Sequence, residues 1–397
     1  MKVLQVMVNS SAHAFAGGAQ KVLVELGNNL SRRGNEVTSV YNDTAPGELF
    51  FKAKFGSKII NLNVKVEGKL HKFWKVLREI IKPLTNSRLG QYFPNPVQLE
   101  RCRLLAKPLK RLVEIERPDV ILAYEMRDHD SLSIGLANGS LQNIPIIHMV
   151  HSEVTSYYDR FNYIEKKRIK SCAAVQALTP SFASQLSELI GRDVNFIGNI
   201  VTPPNTFADL SATKLRRRVI MHSRLDPKKQ QHILLESFAL IKDEFPNWEV
   251  VIFGSGTTRG YLYKLQSIID NNHMADQVTI HAPTSDVLYE LSNSDIFAFP
   301  SIHEEGWGLA LTEAMSVGLP CIGINSTSAI DYLISKTQSG LTTDNSPEDF
   351  SRALYKLMSN QDLRIKYGKN AKEGVKKYYA DNVCQDWESL FEKVNKP

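Results

Sequence analysis

The feature that most restricts the fold is an alternation of short apolar runs with segments of helical period, and it occurs twice along the chain. "KVLQVMV" reads as a buried strand, "GGAQKVLVELGNNLSRRG" as a glycine turn leading into an amphipathic helix that stops at Gly34, and "NEVTSVY" as the next strand. The βαβ order continues through "RPDVILAY", "IPIIHMVH" and "AAVQALTPSFASQLSELIG". A second series runs through "RVIMHSR", "WEVVIFG", "QVTIHA", "DIFAFPS" and "LPCIGIN", with helical segments predicted near residues 229–244, 259–271, 284–293 and 309–317. Strands joined through helices feed mostly parallel sheets covered on both faces. The expected class is α/β, with two doubly wound domains in series. The adjacent prolines of "NIVTPPNTF" put the boundary at residues 199–206.

At 397 residues, with 43% apolar and 23% charged side chains, the chain can fill two cores of about 150 to 200 residues each. Its apolar runs fall far short of the roughly 20 residues a membrane helix needs, and "MKVLQVMVNS" turns polar too early for a signal peptide. A cytoplasmic location is expected. Cys102, Cys172, Cys321 and Cys384 include no C-x-x-C pair, which argues against a disulfide framework and against a zinc site. The net charge of +6 is uneven: residues 51–117 hold 16 Lys and Arg against 5 Asp and Glu, a local +11, so the rest sums to −5.

Ligands of doubly wound sheets bind off the carboxyl ends of the strands, and two such domains in series offer a cleft between those ends. Three stretches there carry chemistry. In "PSIHEEGWGLALTEAM", Glu304 and Glu305 lie in the loop after a strand, Gly306-Trp307-Gly308 turns into a helix from Leu309, and Glu313 follows about a turn later. Unpaired amides of that first turn suit a phosphate, and carboxylates suit hydroxyls. A nucleotide sugar has both groups; an acidic loop beside an exposed helix glutamate is the bland alternative. In "HSRLDPKKQQHILL", Arg224 and Lys229 flank a strand-to-helix junction and could grip a diphosphate, each with about 4 kcal/mol of gross attraction at 4 Å and an effective dielectric of 20. Solvated surface charge is the alternative. In "AFAGGAQKVL", Gly17 and Gly18 open a helix after the first strand without completing G-x-G-x-x-G. "IFGSG", with Gly254 and Gly256, is a weaker glycine turn. His151 ends a strand and reads either as a ligand contact or as a core histidine, while Tyr124, Glu125, Asp128 and His129 are candidates for acceptor contacts.

Together these stretches resemble the retaining glycosyltransferases of family 4, which have the GT-B fold of two Rossmann-like domains with an interdomain cleft. The E-x7-E element from Glu305 to Glu313 is the most specific part of the likeness. The resemblance implies an acceptor-binding domain over residues 1–200, a nucleotide-sugar-binding domain over 201–378, and a last helix in 379–397 that crosses back to the first domain. It implies that Glu305 lies beside the donor sugar, that Glu313 binds the ribose hydroxyls, and that Gly306, Trp307, Gly308 and Leu309 turn the chain so that backbone amides meet sugar and phosphate. Arg224 and Lys229 match the diphosphate pair, Gly17 and Gly18 the loop that covers it, and His151 a histidine near the sugar. Glu305 and His151 are thus the expected catalytic pair, Glu305 in a positioning and electrostatic role. No cofactor and no essential metal are implied. The chain departs from the family at Gln230, where many members have glycine, and at Ser326-Thr327-Ser328 and Asp331, which replace a Gly-Gly loop and a glutamate.

The expected activity is transfer of a hexose or N-acetylhexosamine from a nucleotide sugar, with UDP the expected nucleotide, to a lipid-linked, lipopolysaccharide or polysaccharide acceptor. In "KLHKFWKVLREIIKPL", Leu70, Phe73, Trp74, Leu77, Ile80, Ile81 and Leu84 share a helical face, with Lys69, Lys72, Lys75 and Lys82 largely off it. Such a helix over 69–84 can lie on the anionic inner face of the cytoplasmic membrane or pack on its own domain. A nicotinamide oxidoreductase lacks its glycine fingerprint here, and nucleic-acid binding lacks any fold signature. A GT-B isomerase or phosphorylase and a non-catalytic sugar-nucleotide-binding partner are the remaining rivals.

Overall fold

The computed structural model describes residues 1–9, 17–66, 71–85, 95–137, 140–256, 260–302 and 305–396, with backbone alone for 71–72, 81–85 and 140. The chain forms two compact units, Met1–Ile200 with Ala380–Pro397, and Val201–Tyr379.

The first unit opens with β1 (Lys2–Met7), α1 (Gly18–Arg32), β2 (Glu36–Tyr41) and β3 (Lys58–Asn61). It continues through α2 (His71–Thr85), α3 (Pro96–Glu116), β4 (Val120–Ala123), α4 (Met126–Gly135) and β5 (Ile146–Val150). Helices α5 (Val154–Asp159) and α6 (Tyr163–Ser171), then β6 (Ala174–Ala177), α7 (Pro180–Ile190) and β7 (Asn195–Phe196), complete the series. Its sheet runs β3-β2-β1-β4-β5-β6-β7, every pair parallel. Leu4, Val6, Ile121 and Ala123 from the central strands meet Leu105, Leu109 and Val113 of α3 in one core. Helix starts follow local chemistry: the Asn95 side chain accepts from Val97 N at 3.0 Å, and Thr179 caps α7 ahead of Pro180.

The second unit holds β8 (Arg217–His222), α8 (Gln231–Ala239), β9 (Trp248–Phe253), α9 (Tyr261–Asn271), β10 (Val278–His281) and α10 (Val287–Ser292). Then come β11 (Ile296–Phe299), α11 (Leu309–Val317), β12 (Cys321–Ile324), α12 (Ser328–Ile334) and β13 (Gly340–Thr343). Helices α13 (Pro347–Ser359) and α14 (Gln361–Val375) close it. The sheet order is β10-β9-β8-β11-β12-β13, again all parallel. Val219, Met221, Val250 and Ile252 pack with Leu234, Phe238, Leu265, Phe350 and Leu354. The helix expected over 229–244 is broken: a 3-10 turn at Pro227–Lys229 precedes α8, and a second one covers Lys242–Glu244.

The last helix, α15 (Ala380–Asn395), belongs to the first unit. It lies against α1 and buries Val383, Cys384, Trp387, Leu390 and Phe391. Arg33 of the segment after α1 pairs with Glu388 at 2.7 Å.

The expectation of two doubly wound α/β units holds. The face read along α2 does not pack as one. Trp74 and Leu77 are half-buried, while Phe73, Ile80 and also Val76 stand in solvent, Ile80 at 67% exposure. The helix lies along α3, so only one side of it can be covered there. Leu70 and Lys69, and the side chains of Lys72, Ile81, Lys82 and Leu84, fall outside the described residues.

Candidate active site

In a doubly wound sheet the crevice opens where the strand order reverses. In the second unit that point lies between β8 and β11. The loop after β8 carries Arg224 and Lys229, and the loop after β11 carries Glu305, so two adjacent parallel strands deliver both loops to one end of the sheet.

They meet there. Lys229 Nζ donates to Glu305 Oε1, which also accepts from Ser301 Oγ at 2.6 Å. The Glu305 side chain is 13% exposed, so its charge is held mainly by these partners. The loop is pinned from three sides: Ile302 N donates to Lys228 O at 3.0 Å, Ser326 Oγ to Ser301 O at 3.0 Å, and Thr327 Oγ1 to Glu305 O at 3.2 Å. The hydroxyls of Ser326 and Thr327 therefore bind the backbone around Glu305. Glu304 lies outside the described residues.

Gly308 takes φ +73° at the start of α11, a left-handed turn that glycine adopts freely. No side chain caps this helix, so the first-turn amides from Leu309 onward have no partner within it. Gly306 and Trp307 are buried, and the Trp307 ring packs edge-on against Tyr378 at 4.7 Å. Glu313 is half-buried in the second turn of α11. The Arg224 side chain is exposed, and its carbonyl accepts from Gln231 Nε2 at 2.7 Å.

Gly254 and Gly256 serve this loop by absence of bulk. Ser223 N donates to Phe253 O at 3.1 Å and Leu225 N to Ser255 O at 2.9 Å, which lays the Arg224 segment along the end of β9. A Cβ on Gly254 would come within 2.1 Å of Ser223 O, and one on Gly256 within 2.1 Å of Leu225 O.

In the first unit, Gly17 and Gly18 begin α1, and Gly17 N donates to the Gln20 carboxamide at 2.7 Å. His151 follows β5 and stacks on Tyr124 with centroids 5.1 Å apart. Burial lowers its pKa to about 4, so its ring is neutral at pH 7, and its Nε2 has no hydrogen-bond partner among the described residues. Of the four candidates for acceptor contacts, Tyr124, Asp128 and His129 are buried and Glu125 is half-buried. Asp128 Oδ1 accepts from Val8 N at 3.0 Å, Asn9 N at 3.1 Å and Asn9 Nδ2 at 2.9 Å, and so holds the end of β1. Burial, then the charge of Glu125, pushes the Asp128 carboxyl well above its usual range. His148, with its ring centroid 5.5 Å from that of His129, is driven down to about 3 by burial and by His151. Sequence gave no sign of this polar core, because a strand period cannot separate a buried polar side chain from one at a strand mouth.

Both units are thus doubly wound α/β domains with all-parallel sheets, two Rossmann-like domains in one chain. Residues 16–203 match the family described as Glycosyltransferase Family 4, and residues 204–374 match the family described as Glycosyl transferases group 1. The chain belongs to the GT-B glycosyltransferases. An uncharacterized glycosyltransferase of Haemophilus influenzae is 22% identical over 95% of this chain and 96% of its own length. An exopolysaccharide phosphotransferase of Streptomyces coelicolor is 26% identical over 57% of this chain, which spans only 24% of that protein. Among solved structures, TarM of S. aureus, in complex with fondaparinux, alpha-GlcNAc-glycerol and UDP, superposes with a TM-score of 0.73 at 14% identity, over 98% of this chain and 99% of that one. At that identity the likeness speaks for the fold.

Proposed function

We propose that the protein is a retaining hexosyltransferase that moves a hexose or N-acetylhexosamine from a UDP-sugar to a polysaccharide, lipopolysaccharide or lipid-linked acceptor. The observation that carries this reading is the Lys229–Glu305 pair at the switch point of the second sheet, beside the uncapped start of α11. UDP is supported by the TarM complex, and a polymeric acceptor by the name of the Streptomyces relative.

In this reading the bond from the anomeric carbon to the diphosphate oxygen breaks, and its electron pair leaves with the nucleotide. Lys229, Arg224 and the α11 amides meet the charge that develops there, with no metal ion required. The acceptor hydroxyl attacks the same face of the sugar, and its proton passes to the departing diphosphate. Glu305, fixed by Lys229 and Ser301, orients the sugar hydroxyls, and Glu313 takes the ribose. Gly17, Gly18 and His151 keep the roles that the resemblance implies.

A thermal-shift screen with UDP, GDP, ADP and their glucose conjugates tests the reading. A ligand at 100 times its Kd stabilises by about 2.7 kcal/mol. UDP and a UDP-sugar are expected to raise Tm; no response to any nucleotide would end the proposal. The exposed Phe73, Val76 and Ile80 of α2, beside Lys75 and Arg78, further support a peripheral site on the anionic inner leaflet for a lipid-linked acceptor. Sedimentation with phosphatidylglycerol vesicles at low salt should carry the protein down, and protein left wholly in the supernatant rejects the membrane contact.

A further inference from the structure

Six non-glycine residues among those described have positive φ: Phe55, Asn63, Arg117, Gln230, His273 and Gln338. Five are exposed, at turns and helix ends where no packing is disturbed. Gln230 alone is buried, at 6% exposure, with φ 53° and ψ 40°. A glycine would take this backbone without penalty, and a γ-carbon side chain does not. The side chain carries a second cost, because its Oε1 is buried with no hydrogen-bond partner among the described residues. The Gln230 backbone joins the 3-10 turn to α8, its N–H donating to Pro227 O at 3.3 Å and its carbonyl accepting from Ile233 N at 3.0 Å, a turn that glycine would make at less cost. Both features lie next to Lys229, whose ammonium group pairs with Glu305, and at the start of the nine-residue α8, which has no side-chain cap. The neighbouring Gln231 is also fully buried, yet its Nε2 has structural work, donating to Ser223 Oγ at 2.8 Å and Arg224 O at 2.7 Å.

Strained backbone and an unpartnered buried polar group together mark positions kept for a ligand. The orphaned atom is an acceptor. A diphosphate ester has no proton to give it at neutral pH, whereas a hydroxyl does. Resting on the nucleotide-sugar reading above, we infer that Gln230 is a specificity-determining residue whose Oε1 accepts a hydrogen bond from a hydroxyl of the bound sugar nucleotide.

Gln230→Gly tests this, since the variant relieves the backbone and should fold at least as well as the parent. Tm without ligand is expected to rise. Affinity for UDP-glucose, measured by calorimetry, is expected to fall about tenfold, the effect of one lost hydrogen bond at the upper end of its range. Unchanged affinity for UDP alone assigns the hydroxyl to the hexose, and an equal loss for UDP assigns it to the ribose. Gln230→Asn also tolerates the left-handed backbone but draws the amide back by one methylene, so it should lose affinity likewise. If Tm rises while both variants bind UDP and UDP-glucose as tightly as the parent, Gln230 is only a strained core residue and the inference is overturned. If the parent itself binds no nucleotide, the function proposed above fails first and takes this inference with it.

Discussion

Lys229→Ala is expected to lower kcat for sugar transfer by about 10²- to 10³-fold, the range found when one preorganised donor to a developing anion is removed. Two consequences of the geometry combine. In the proposed reaction the departing diphosphate loses a cation, and Glu305, mostly buried, loses its ion-pair partner and among the described residues keeps the Ser301 hydroxyl. Donor KM should rise less than kcat falls, because the charge that Lys229 meets grows as the bond breaks. Lys228→Ala is the control: its side chain is exposed one residue away, and its loop contact runs through the carbonyl, which the substitution keeps. Initial rates with a UDP-sugar panel give the comparison. Equal loss in the two variants would mean that general basicity, not the pair with Glu305, matters at this turn.

Gly254→Ala should destabilise the protein by about 3 kcal/mol, through forced separation of two backbone segments that now touch. The new methyl meets Ser223 O, a backbone atom without rotamers to yield, and the hydrogen bonds from Ser223 N to Phe253 O and from Leu225 N to Ser255 O must stretch. For a unit of this size, Tm falls by about 6 to 12 °C. Because the displaced segment carries Arg224, nucleotide binding should weaken as well. A variant that melts within 2 °C of the parent and binds UDP normally contradicts the tight approach described here.

These two positions illustrate unequal legibility. The strands of both sheets could be read from apolar runs because parallel strands are buried on both faces, and the order of the loops at β8 and β11 follows from that alternation. Glu305 and Lys229 stand out as a carboxylate and a cation after strands, but only the resemblance to family 4 raises them above an acidic loop and solvated surface charge. The period of a strand carries no record of a close backbone approach, so Gly254 looked like a weak phosphate turn and not a packing device. Gln230 was visible only as a departure from glycine; its left-handed backbone and stranded amide oxygen arise from tertiary packing. The short β3, β7 and β13 went unread, being two to four residues long and partly exposed. Tyr124, Asp128 and His129 follow a strand end in the sequence, and their burial arises from the fold alone.

The chain's last helix bears on how the protein comes to be made. Residues 380–397 complete the first unit, and Trp387 and Phe391 fill the ground beside α1. During synthesis, residues 201–379 leave the ribosome with every strand of their own sheet already in hand. The first half, translated earlier, must wait with an uncovered apolar flank until residues 380–395 have been added. Birth order and completion order are therefore reversed between the halves.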